Sequence, residues 1–114
     1  MASGGPEHGP VGSGAYQVRL SGEIDILHER TLGRVAEGYE ASDAADVLVD
    51  LEPVEFMDST GLSFLLRLRR TAQARGGRVS VEGARPTVRR TMQIVGFHLL
   101  IDGVTSESET PQPT

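Results

Sequence analysis

Residues 47–68 read VLVDLEPVEFMDSTGLSFLLRL, and the change of pattern inside that stretch decides the fold. Its first part, Val47-Leu48-Val49-Asp50-Leu51, is a β-branched and apolar run of strand length without alternation. Such runs belong to strands covered on both faces, usually central and parallel. Glu52-Pro53 closes it. From Gly61 the period becomes helical, over residues 61–75. Leu62, Leu65, Leu66, Leu68 and Ala72 form a broad apolar face, while Ser63, Arg67, Arg70 and Ala74 line the opposite, largely polar side. Gly76-Gly77 then offers the positive-φ residue on which helices commonly end.

Working outward, Tyr16, Val18 and Leu20 alternate with polar residues, as in a half-buried strand. Ser21-Gly22-Glu23 breaks that run and Ile24-Asp25-Ile26 leads away from it. A helix over 27–41 follows, with Leu32, Val35, Ala36 and Tyr39 on one stripe. Beyond the second helix, Val79-Ser80-Val81 reads as a short strand. Pro86 opens a further helix at the position where its missing N–H does no harm. Val88, Met92 and Val95 repeat at helical spacing there, and Gly96 stops it; Phe97, Leu99, Leu100 and Ile101 supply a last short strand. Alternation of this kind predicts a single α/β domain, with a mixed, mostly parallel sheet of about four strands and helices packed on it. Residues 1–14 (MASGGPEHGPVGSG) and 105–114 (TSESETPQPT) carry too little apolar surface to offset ordering entropy. They are expected to be disordered tails around a domain at 15–104.

Composition narrows the function classes. The absence of cysteine excludes disulfides and thiolate metal or redox chemistry. Every basic residue is Arg, the net charge is −5, and the only local cluster is Arg67, Arg69 and Arg70, which argues against direct nucleic-acid binding. No stretch approaches the ~20 apolar residues that span a bilayer. The N-terminus has no basic region followed by an apolar one, so a cytoplasmic protein is expected. His8, His28 and His98 lack metal-ligand spacing, and neither metal nor cofactor is expected. Ser59 lacks the flanking glycines of a nucleophile elbow and no base accompanies it, so the chain is not expected to be an enzyme.

The segment that carries chemistry is Phe56-Met57-Asp58-Ser59-Thr60-Gly61. An oxygen from Asp58, Ser59 or Thr60 can cap the helix that follows, and Gly61 lets the chain turn tightly. Two adjacent hydroxyls behind an acid exceed what one cap requires. Ser59 lies just past the carboxyl end of a strand, where functional groups gather in α/β sheets. A phosphate there would add about −1.5 to −2 charges near the positive end of a helix dipole. The fold would tolerate that charge while the surface changes.

The whole 47–68 stretch resembles the core motif of anti-sigma factor antagonists of the STAS domain family. Gly22-Glu23-Ile24-Asp25, Gly76-Gly77 and Pro86 through Val95-Gly96-Phe97 follow in the family's order and spacing, across residues 16–101. The resemblance implies a switch. The unphosphorylated protein would bind an anti-sigma factor that is also a Ser/Thr kinase, displacing a sigma factor. That kinase would phosphorylate the motif serine, here Ser59, and release the antagonist; a phosphatase would reset it. By the same resemblance Asp58 positions the serine and caps the helix, Thr60 flanks it, and Asp25 touches the partner. Ser63 and Arg67 extend that surface. The alternative within the fold is an interaction, scaffold or ligand-sensing module that controls no sigma factor; the hydroxyl at Ser59 favours the switch. A domain clipped from an anion transporter is disfavoured by the lack of a membrane segment. The family's usual strand before Tyr16 is here Gly/Pro-rich and is expected to be a stub. Its terminal amphipathic helix has no counterpart expected in residues 105–114, which would leave apolar surface for a partner or a weak homodimer to cover.

Overall fold

The computed structural model describes residues 7–10 and 14–94. Its strands are β1 (Glu7–Pro10), β2 (Tyr16–Arg19), β3 (Gly22–Ile24), β4 (Val47–Asp50), β5 (Val54–Met57) and β6 (Val79–Glu82). Its helices are α1 (Glu29–Ala41), α2 (Ser59–Ala74) and α3 (Pro86–Ile94), with a 3-10 turn at Ile26–His28 before α1.

Four strands form one sheet in the order β1-β2-β4-β6. β2 and β6 pair parallel to β4 on either side, with Val18 opposite Val49 and Val49 opposite Val81. The apolar run at 47–51 is therefore central and parallel, as its composition predicts. Its two faces differ, however: Val47, Val49 and Leu51 are fully buried, whereas Leu48 and Asp50 are only half-buried. The buried face is covered by the stripes of the helices. Leu32, Val35, Ala36 and Tyr39 of α1 meet Phe64, Leu65, Leu68 and Ala72 of α2 there, with Val88 and Met92 of α3 completing the core. The α2 stripe thus differs in part from the expected one: the buried positions 61, 64, 65, 68 and 72 keep helical spacing, which brings Phe64 into the core and leaves Leu62 and Leu66 at its margin, half-buried. Burying a Val, Leu or Met side chain of this kind stabilises by about 1.5–3 kcal/mol.

The ends of α1 and α2 are tied by one cation. Arg75 follows α2 and donates to the carbonyls of Ala44 (2.7 Å), Tyr39 (3.3 Å) and Glu40. Tyr39 and Glu40 belong to the last turn of α1, whose carbonyls have no intrahelical donor, and Ala44 lies just beyond its end. The same guanidinium lies over the Tyr39 ring, 5.3 Å from its centroid, and the Tyr39 hydroxyl donates to the Ala45 carbonyl at 2.6 Å. Gly76 takes φ +72° just beyond, as the reading of that glycine pair requires.

Three strands depart from the sequence expectation. Residues 7–10, expected in a tail, form β1, which pairs antiparallel with β2 from Glu7 opposite Arg19 to Pro10 opposite Tyr16. Backbone pairing to an otherwise open edge needs no apolar side chains, and a proline is tolerated on an edge strand. β3 and β5 form a separate two-stranded parallel sheet. The Gly22 break is in fact the start of β3: Gly22 sits at φ +78°, donates to the Pro53 carbonyl at 3.0 Å, and marks a register irregularity before Glu23. Such a bulge re-aims the residues that follow it. The helix expected from residue 27 begins as the 3-10 turn and becomes α-helical at Glu29. The last strand expected at 97–101 and the stop at Gly96 lie outside the described residues.

Candidate functional site

The small β3–β5 sheet places the site. Its two strands run in parallel, with Glu23 opposite Phe56 and Ile24 opposite Met57, so their carboxyl ends emerge side by side. One delivers Asp25 and the 3-10 turn; the other delivers Asp58 and α2. The Asp58 N–H donates to the Ile24 carbonyl at 3.1 Å, which fixes the two exits to each other. Ser59 thus lies past the end of β5, not of the central strand β4.

Asp58 is the N-cap of α2, in extended conformation, and its Oδ1 accepts from the Thr60 N–H at 2.8 Å. Its carbonyl accepts from Gly61 (3.1 Å) and Leu62 (3.4 Å), starting the helical ladder. With the cap supplied by Asp58, the Ser59 hydroxyl is not needed for it. Ser59 is the first residue of α2, exposed, and no hydrogen bond engages its hydroxyl among the described residues. Thr60 beside it is half-buried, and Ser63, one turn along, is exposed.

Gly61 has a different reason from the one its sequence suggests. It is a buried helical residue without positive φ, so no tight turn requires it. A Cβ there would meet the Met57 side chain, 2.7 Å from Sδ and 3.1 Å from Cε. Gly61 provides space for Met57, which seats the first turn of α2 against the end of β5.

Ser59, Thr60, Ser63 and Arg67 line one groove of about 320 Å³ between α1 and α2, together with Ile26, Glu29, Leu32, Gly33 and Phe64. Arg67 is committed to an intramolecular bond: Nε donates to Glu40 Oε2 at 2.7 Å and Nη2 to Oε1 at 2.8 Å, a bidentate tie from α2 to α1. The hydrogen bond from Arg67 holds the Glu40 carboxyl below the usual glutamate range, against the opposing effect of burial. The same bond raises the Arg67 guanidinium.

Asp25 does not line this groove. It faces a second one, of about 360 Å³, with Glu23, Leu27, His28 and Glu55 among its neighbours. There its Oδ1 accepts from the Leu27 N–H at 3.0 Å and lies 3.2 Å from His28 Nδ1, so it caps the 3-10 turn. Missing from the residues expected at the site are three exposed apolar side chains: Ile26 (61 % exposed) in the first groove, Leu27 (84 %) in the second, and Phe56 (51 %) on β5. One sequence signal pointed to the first two: neither falls on the α1 stripe of Leu32, Val35, Ala36 and Tyr39.

Comparison with known proteins agrees with this architecture. The family model described as Mlab, STAS domain, matches residues 12–102. The chain is similar to the anti-sigma-B factor antagonist of Bacillus subtilis, 30 % identical over 98 residues that cover 82 % of this chain and 84 % of that protein. Among solved structures it resembles the anti-sigma factor antagonist SpoIIAA in its unphosphorylated form, with a TM-score of 0.74, 24 % identity and 90 % of each chain covered. An anti-sigma factor antagonist from Mycobacterium paratuberculosis superposes with a TM-score of 0.78 at 24 % identity, over 90 % of this chain and 86 % of that one. At these identities the two structures speak to the fold.

Proposed function

This chain belongs to the STAS domain family, and from that membership we propose that it is an anti-sigma factor antagonist switched by phosphorylation of Ser59. In its unphosphorylated form it binds an anti-sigma factor that is also a Ser/Thr kinase, and so frees a sigma factor. Transfer of a phosphate to Ser59 ends that binding, and a phosphatase restores it. The chain acts as the substrate of its partner's chemistry and carries no catalytic residue of its own. The setting is the cytoplasm; no helix among the described residues is long and apolar enough to cross a membrane. The relative from Bacillus subtilis, named an anti-sigma-B factor antagonist, supports this role.

The observation that carries the reading is the division of labour between Asp58 and Ser59. Asp58 caps α2 through Thr60, which leaves an exposed, unengaged hydroxyl at the first position of a 16-residue helix. A kinase can reach that oxygen without opening the fold. The phosphate would sit near the positive end of the α2 dipole, worth roughly 0.3–1 kcal/mol, so the domain keeps its structure in both states. Binding responds differently. A dianion beside Asp58, on a surface that must be desolvated to dock, opposes association by like-charge repulsion and lost hydration, and several kcal/mol per buried ion is the ordinary scale of that penalty. Thr60, Ser63 and Asp25 complete the partner-facing surface in this reading. Arg67 supports it through Glu40, by fixing α2 on α1.

Incubation of the chain with the kinase-type anti-sigma factors of its source organism and ATP, followed by mass spectrometric mapping, tests the site. A single phosphate on Ser59 is expected. Modification of Thr60 or Ser63 alone would refute the assignment.

A further inference from the structure

We propose that the 3-10 turn Ile26–His28 and the exposed face of β5 form the anchor of the docking surface, fitted to a partner protein whose apolar patch is rimmed by Arg or Lys. This inference rests on the antagonist reading and names the chemistry of the partner's contact. Among the described residues, the exposed large apolar side chains are Ile26, Leu27 and Phe56, and all three stand at or beside the β3–β5 sheet. Ile26 borders the groove that holds Ser59 and Thr60. Leu27 borders the second groove beside Glu23 and Glu55, and Glu23 is the cross-strand partner of Phe56. Glu23 thus connects the two apolar side chains, lining a groove with Leu27 on one side and standing in register with Phe56 on the other. The turn is presented in a fixed shape, because Asp25 accepts from the Leu27 N–H at 3.0 Å and bonds His28 at 3.2 Å. Little ordering entropy is then left to pay on docking.

The charges around these anchors select the partner. Glu23, Asp25 and Glu55 line the second groove, where no Arg is present. Glu29 lines the Ser59 groove, Asp58 precedes Ser59 as the cap of α2, and the Arg67 guanidinium there is held by Glu40. An apolar centre in an acidic collar complements a basic rim. A second copy of this chain would instead bring two acidic collars together, an arrangement that like-charge contact penalises. The surface also accounts for the switch: Ile26 and Ser59 share a groove, so a phosphate on Ser59 intrudes on the edge of an apolar contact.

The test uses the full chain and the purified kinase-type anti-sigma factors of the source organism, with calorimetric titration and sedimentation. Leu27→Ser and Phe56→Ser are each expected to weaken binding by about tenfold or more, the scale of an interface hot spot, with the thermal midpoint of the free chain unchanged. Glu23→Gln combined with Glu55→Gln is expected to flatten the salt dependence of the association rate. Tight binding by wild type with unchanged affinity in both apolar variants overturns this surface and leaves the antagonist reading standing. Failure of wild type to bind any of these kinases overturns both. A dimer of the free chain that Leu27→Ser dissolves assigns the face to a second copy and overturns the proposal.

Discussion

Gly61→Ala isolates the reason for the glycine in the Asp58-Ser59-Thr60-Gly61 segment. The added methyl would lie 2.7 Å from Met57 Sδ and 3.1 Å from Cε, so the buried Met57 side chain must move. Overpacking of this kind costs about 1–3 kcal/mol. Against it, alanine is favoured over glycine inside a helix by up to about 1 kcal/mol. The net expectation is destabilisation by about 1 kcal/mol. Met57→Ala removes the obstructing atoms and by itself costs about 2–5 kcal/mol. In that background the methyl has room and the helical preference remains, so Gly61→Ala becomes stabilising by up to about 1 kcal/mol. Urea unfolding of the four proteins, followed by far-UV circular dichroism, should yield a coupling energy of about 2 kcal/mol, well outside the additivity of independent sites. If Gly61→Ala destabilises both backgrounds equally, the glycine serves the backbone rather than Met57, and the packing account of the site's first turn is wrong.

Two further perturbations address the frame of the site. Asp58→Ala should cost about 1 kcal/mol through loss of the cap to Thr60, whereas Asp58→Asn should keep most of that stability, because the amide oxygen caps as well; thermal denaturation of the pair separates the cap from the charge. Glu40→Gln should lower stability near neutral pH by about 1 kcal/mol, the upper range for a half-exposed ion pair, here bidentate. Since the folded carboxyl lies below its ordinary value of 4.5, its contribution is present above that value and is lost as pH falls through the depressed one. The difference in midpoint between wild type and Glu40→Gln should therefore vanish in acid, and a difference that persists there would contradict the ion-pair account.

The elements with a strong period were legible in the sequence. The run at 47–51, the stripe of α1 and the Pro86 start appear where their patterns place them, and so do Leu65, Leu68 and Ala72 of α2, because apolar burial against a single core dictates them; Leu62 and Leu66 are only half-buried, and Phe64 takes the core position beside Leu65. The small sheet was not legible. β3 is three residues long and opens on a bulged glycine, and β5 reads buried-exposed-exposed-buried, so neither shows period two. They exist because each completes the other's hydrogen bonding across a long stretch of chain. β1 escaped notice for a related reason, since backbone pairing along β2 places it.

At the site, residue type and position offered Asp58, Ser59 and Thr60 as caps and put Ser59 at a helix start; the family resemblance singled out Asp58, which is the cap. The commitment of Arg67 could not, since its partner Glu40 is 27 residues away and only the packing of α1 on α2 brings them together. Nor did apolar character alone distinguish Leu27 and Phe56 from core residues. Their exposure depends on where the β3–β5 sheet leaves them.

The central claim is that one oxygen, that of Ser59, governs whether the partner binds. Calorimetric titration of a cognate kinase-type anti-sigma factor with Ser59→Ala and Ser59→Asp tests it most directly. Ser59→Ala should bind as the unmodified chain does, and Ser59→Asp should bind more weakly by about tenfold or more, the direction expected for charge introduced into a desolvated contact. Equal affinities for the two variants would contradict the account.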